Sequence, residues 1–239
     1  MNVCHRYKLI WWATSRCASR YTSAFLSPLG FYNYDSNDGN VLPIFNSDLI
    51  FPIEQGSEQL PFTHKLQVPL GFEDYDIIAN IRNPYDAFYS KYRLQMMEYL
   101  RGKLQRDGIY DIPSVDDVEM SFEDWATANF EYYDRIGWDI MDSVYELTTN
   151  NVKYLIRYEN LNNDIMAIPE VSHMYDTYPL YKKIADDSLQ STKAEYRDSL
   201  VLKYETFQDV YTQKIADNVY RFYKPQFDLF NYSRDSWKK

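Results

Sequence analysis

The sequence predicts an α/β fold, a single domain with a central parallel β-sheet flanked by helices. Short apolar runs without helical period, YKLIWW at 7–12, IIANI at 77–81 and VKYLI at 152–156, read as buried strands. The first two are followed by stretches of helical spacing, the strand–loop–helix alternation of a parallel sheet. The chain has 239 residues and no repeat, low-complexity tract or linker, so 1–239 reads as one domain with a real core.

The elements follow in order. After YKLIWW comes the loop ATSRCASR, then a helix through Tyr21, Phe25 and Leu26 that Pro28 and Gly30 stop. Residues 31–61 are rich in Asn, Asp, Gly, Ser and Pro and read as mostly loop. FTHKLQVP, 62–69, is a second short strand-like piece. A strand over Ile77–Ile81 leads directly into a helix from Pro84 to about Leu104, marked by Tyr85, Phe88, Tyr89, Tyr92, Met96 and Tyr99. Residues 106–120 are turn-rich. Ser121 and Asp124 then announce a capped helix through Trp125 and Phe130, and 138–148 continue helical. The last strand is Val152–Ile156. Residues 160–195 give no clear order. Phe207, Tyr211, Ile215, Val219 and Phe222 mark a C-terminal helix that Pro225 ends.

Composition narrows the function. A net charge of −10 argues against a nucleic-acid surface, which needs clustered Lys and Arg, while leaving room for a few cations converging on a small anion. The 24 tyrosines require a core built from rings with a polar edge and can also supply a binding groove. Two cysteines, Cys4 and Cys17, with no CxxC pair, predict neither a disulfide framework nor a cysteine zinc site and fit a reducing compartment. Leu9–Ala13 is too short for a signal-peptide core, and no apolar run approaches a transmembrane span, so a soluble, cytoplasmic protein is expected.

Candidate site residues cluster where strands end, the place where open α/β sheets bind ligands. In TSRCASRY, 14–21, a strand-to-helix loop carries Arg16, Ser19 and Arg20. It can present cations, a hydroxyl and backbone N–H groups to an anion, or simply be a helix start with two solvated arginines. It holds no Walker GxxxxGK[ST] pattern. Arg82 is a permanent cation at the junction of strand and helix, suited to bidentate phosphate binding or to a salt bridge with a nearby acid such as Asp74 or Asp76. Ser90 follows eight residues later. His64, one of only three histidines, can serve as a proton acceptor or as an ordinary structural residue. Tyr158, just after the last strand, can border a purine.

The order SRCASRY, TH, IRNPYDAFYSKY, IRYENL resembles the sulfotransferase family that uses 3'-phosphoadenosine 5'-phosphosulfate. The resemblance covers about half the chain and implies a P-loop-NTPase-like sulfotransferase fold. The loop Arg16, Cys17, Ala18, Ser19 and Arg20 is similar to the family's 5'-phosphosulfate loop, with Arg16 stabilising the leaving phosphate. Arg82, Asn83, Pro84 and Ser90 match its R-[DN]-P-x5-S element, which implies that Arg82 and Ser90 hold the 3'-phosphate. His64 resembles the family's general base and Tyr158 its tyrosine beside adenine. The resemblance further implies a small-molecule donor, a glycan or other hydroxylated acceptor, and no metal. Ala18 stands where a glycine is common and Arg20 where a second hydroxyl often sits. Those departures keep open a sulfotransferase-like module that binds nucleotide without chemistry. A nucleoside-triphosphatase and a tyrosine-rich interaction protein are the remaining readings.

Overall fold

The computed structural model describes residues 2–12, 17, 19–34, 41–43, 71–106, 120–136, 152–187 and 206–239. Their contacts divide into two compact units, Met1–Arg82 with Asp142–Ser191 and Asn83–Met141 with Thr192–Lys239. FTHKLQVP and the stretch 138–148 lie outside the described residues.

The first unit is an α/β unit with a mixed sheet in the order β4-β3-β1-β2-β5-β6. β1 (Asn2–Cys4) and β2 (Leu9–Trp12) form an antiparallel pair with Val3 opposite Ile10, and Lys8 takes a left-handed φ of 53° where the chain turns back. The run YKLIWW is therefore the second strand, not the first. β3 (Tyr32–Tyr34) and β4 (Val41–Pro43) extend the sheet antiparallel beyond β1, in a stretch expected to be mostly loop. The expected parallel sheet is corrected in that half: the four-residue connection between β1 and β2 permits only antiparallel neighbours. β2, β5 (Asp76–Ile81) and β6 (Val152–Arg157) are parallel, as expected. β5 lies between the other two, and Ile77, Ile78, Ala79, Asn80 and Ile81 are all buried. Both its faces are covered, which is why its sequence shows no alternation.

Helical segments serve this unit's core. α1 (Ser19–Leu26) runs into a 3-10 turn over Ser27–Leu29, closed by Gly30 at a φ of 80°. α4 (Leu161–Met166) follows β6, and α5 (Pro169–Thr177) starts on Pro169, whose fixed φ suits the first helical position. A further helical stretch covers residues 179–187 and contributes the buried Ala185 to the same core, so the described part of the stretch without clear order in sequence is largely helical. Leu9, Trp11, Ile78 and Ile156 of the sheet share one cluster with Phe25, Ile165, Val171 and Tyr175 of these helices. The Tyr175 hydroxyl donates to the Phe25 carbonyl at 2.8 Å.

The second unit is helical. α2 (Pro84–Arg106), α3 (Phe122–Ile136) and α6 (Gln213–Phe230) bury one aromatic cluster that includes Tyr85, Phe88, Tyr92, Trp125, Phe130, Tyr223 and Phe227. Phe88 stacks on Phe130 with centroids 5.1 Å apart. Asn83 caps α2, its Oδ1 accepting from the Tyr85 N–H at 3.0 Å, and Ser121 Oγ accepts from the Asp124 N–H at 3.1 Å ahead of α3. Pro225 does not end the last helix. Tyr223 and Phe227, on either side of it, are both buried, and their packing carries the helix on to Asn231 in the left-handed region. Phe207 sits in a separate 3-10 turn.

The C-terminal residues return to the start of α2. Asn83 Nδ2 donates to Ser236 Oγ at 2.9 Å, and the Tyr85 hydroxyl donates to the Arg234 carbonyl at 2.7 Å. Tyrosines elsewhere follow the same plan of buried ring and tethered hydroxyl: Tyr92 donates to the Met120 carbonyl and Tyr211 to that of Tyr85.

Two outcomes follow from this packing. Asn83→Ala should destabilise the protein by about 1–2 kcal/mol through loss of the cap, while Asn83→Asp, which keeps the accepting oxygen, should cost less, as urea unfolding will measure. Burial pushes the hydroxyls of Tyr21, Tyr85, Tyr175, Tyr211 and Tyr223 up, that of Tyr21 to about 12. The native state then holds these protons more tightly than the unfolded chain. Stability should be independent of these groups below about pH 10 and fall as pH rises through their folded values. Tyrosinate absorbance should lag in the native protein and jump on unfolding, and a full titration at the unfolded value would contradict the packing described.

Candidate functional site

The last paired residues of β5 and β6 are Ile81 and Arg157, opposite one another in parallel register. The next residues in each strand are Arg82 and Tyr158. The Arg82 guanidinium carbon lies 3.7 Å from the centroid of the Tyr158 ring, a cation–π stack worth about 0.5–1 kcal/mol at a partly exposed place. Tyr158 keeps 37% of its surface exposed and Arg82 is half-buried. Arginine, unlike lysine, carries a planar fork of N–H donors that suits both aromatic faces and phosphate. This pair stands beyond the carboxyl ends of two parallel strands, the end at which open α/β sheets bind ligands.

The salt-bridge reading of Arg82 does not hold for Asp74 or Asp76. A strand rises about 3.3 Å per residue, so Asp76, at the opposite end of β5, is about 20 Å away. Asp76 pairs instead with Lys153 at 2.5 Å, and Asp74 pairs with Lys8.

The turn that presents Tyr158 is built by residues that sequence reasoning did not single out. Residues Tyr158–Asn160 form a 3-10 turn between β6 and α4. Asp164 Oδ2 accepts from the Arg157 N–H at 2.8 Å, and its Oδ1 accepts from Asn160 Nδ2 at 2.7 Å. One carboxylate thus fastens both ends of the turn. On the β5 side, Asn80 is fully buried; its Oδ1 accepts from Trp11 Nε1 and its Nδ2 donates to Thr22 Oγ1, each at 2.7 Å. The only sequence signal for Asn80 is a polar residue within an apolar strand.

The other expected site residues divide into groups. Ser19 and Arg20 open α1, the helix that follows the candidate anion loop, and Cys17 is buried. Arg16, Ala18 and His64 lie outside the described residues. Ser90 belongs to the second unit, on α2, where it is 8% exposed, so its hydroxyl is not part of a solvated face. Within one unit, the geometry brings together Arg82 and Tyr158.

Among the described residues, no three His, Cys, Asp or Glu side chains converge, and no helix is long and apolar enough to cross a membrane. No family model, curated protein or solved structure matches this chain.

Proposed function

We propose that the chain is a sulfotransferase that takes its sulfuryl group from 3'-phosphoadenosine 5'-phosphosulfate, on a P-loop-NTPase-like sulfotransferase fold. The observation that carries the reading is Arg82 at the carboxyl end of the central parallel strand, stacked on Tyr158, within a sequence element that places Ser90 eight residues on. In this reading Arg82 holds the 3'-phosphate and Tyr158 borders the adenine. The strand β2 followed by helix α1 is the arrangement that a 5'-phosphosulfate loop at Arg16–Arg20 needs.

The chemistry is an in-line transfer. An acceptor oxygen or nitrogen, on a glycan or another hydroxylated or amine compound, forms a bond to sulfur as the bond from sulfur to the bridging phosphate oxygen breaks. His64 takes the acceptor proton, and Arg16 neutralises the charge growing on the leaving 3'-phosphoadenosine 5'-phosphate. No metal enters this reading. Cys4 and Cys17 are both buried and neither is in a disulfide, consistent with a cytoplasmic, reducing setting. A second reading, nucleotide binding without transfer, is favoured by Ala18 and Arg20 in the loop.

Transfer of a radiolabelled sulfuryl group to a panel of hydroxyl and amine acceptors separates the two readings. The wild-type chain should yield a sulfated product. Arg16→Ala should abolish transfer, and His64→Ala should slow it by about 10²- to 10⁴-fold, with folding intact. Arg82→Ala should weaken 3'-phosphoadenosine 5'-phosphate by about 10- to 100-fold, the worth of charged hydrogen bonds, and leave adenosine 5'-phosphate unchanged. Tight nucleotide binding with no product from any acceptor would favour the second reading.

A further inference from the structure

Two consecutive residues of α1 each bond the chain beside one half of the Arg82–Tyr158 stack. Thr22 Oγ1 accepts from Asn80 Nδ2 at 2.7 Å, and Asn80 lies two residues before Arg82 on β5. The Tyr21 hydroxyl donates to Asn162 Oδ1, and Asn162 lies four residues after Tyr158, in the first turn of α4. Consecutive residues of a helix diverge by about 100°, so one helix can brace a strand end with one side chain and the neighbouring turn with the next. Both residues are buried, Thr22 completely and Tyr21 to 9% exposure, where a hydrogen bond is shielded from competing water.

We propose that Tyr21 and Thr22 are positioning residues that hold the Arg82 guanidinium over the Tyr158 ring, so that helix α1 sets the direction of the Arg82 N–H edge. The resemblance to the sulfotransferase family gives neither residue a role, and both act through the asparagines they bond, Asn162 and Asn80. Trp11, bonded to the other end of the Asn80 amide, closes the brace from β2. The bearing of this brace on a bound nucleotide rests on the sulfotransferase reading. The positioning itself does not, and can be measured without ligand.

Protons above the face of an aromatic ring resonate upfield, so the side-chain δ protons of Arg82 report the stack in the full-length chain. Isotope-labelled arginine, with Arg82→Lys to assign the signal, gives the readout. Thr22→Val and Tyr21→Phe should each reduce the upfield displacement, the double variant should lose most of it, and Thr22→Ser should retain it. A displacement unchanged in variants that remain folded overturns the proposal. If the double variant fails to fold, the comparison of Thr22→Val with Thr22→Ser decides the matter in the same way. A wild-type chain that shows the stack and its dependence on Thr22, yet ignores 3'-phosphoadenosine 5'-phosphate, would sink the nucleotide reading and leave the brace standing.

Discussion

The Asn80 side chain, fully buried between β2 and α1, accepts one hydrogen bond and donates another, and the geometry of the first unit depends on that amide. A polar group removed from water must be paired or it costs about 1–3 kcal/mol. Trp11 and Thr22 pair it, and in doing so they set the rotation of α1 against the parallel strands. A sheet held by Leu, Ile and Phe alone can slide or rotate a helix at little cost. An amide with directional partners on two elements cannot be satisfied in a shifted arrangement. The carboxyl ends of β5 and β6 inherit that registration, and Arg82 and Tyr158 occupy those ends.

The second unit uses a different device for the same purpose. Its core is mostly aromatic, and rings alone specify orientation loosely. The hydroxyls of Tyr85, Tyr92 and Tyr211 reach backbone carbonyls, so each ring is fixed at its polar end as well as by its neighbours. Asn83 does two tasks at the start of α2, capping the helix with Oδ1 and holding Ser236 with Nδ2. The asparagine of the R-N-P element thus has a structural role independent of any ligand.

Sequence made the parallel strands and the long helices legible, because buried strands and amphipathic helices leave different periods. The junction at Arg82 was the clearest, since Pro84 marks the first helical turn after an unbroken apolar run. The three-residue strands β1, β3 and β4 were not legible, being shorter than any period can register. Pro225 misled because local propensity predicts a stop, whereas the burial of Tyr223 and Phe227 outweighs it. Asn80 was hidden for another reason: its partners lie 69 and 58 residues away, and only the fold brings them together. Of the candidate site, Arg82 and Tyr158 were named from their strand-end positions. Tyr21 was legible as a helix residue, but its bond to Asn162, like the roles of Thr22 and Asp164, carries no local pattern.

The central claim is that the end of β5 is built for a nucleotide bearing a 3'-phosphate. Calorimetric titration of the wild-type chain with 3'-phosphoadenosine 5'-phosphate, with adenosine 5'-phosphate as control, tests it most directly. Tight binding that requires the 3'-phosphate is the predicted result. Equal affinity for the two nucleotides, or binding of neither, would contradict the account and leave the Arg82–Tyr158 stack as an element of folding alone.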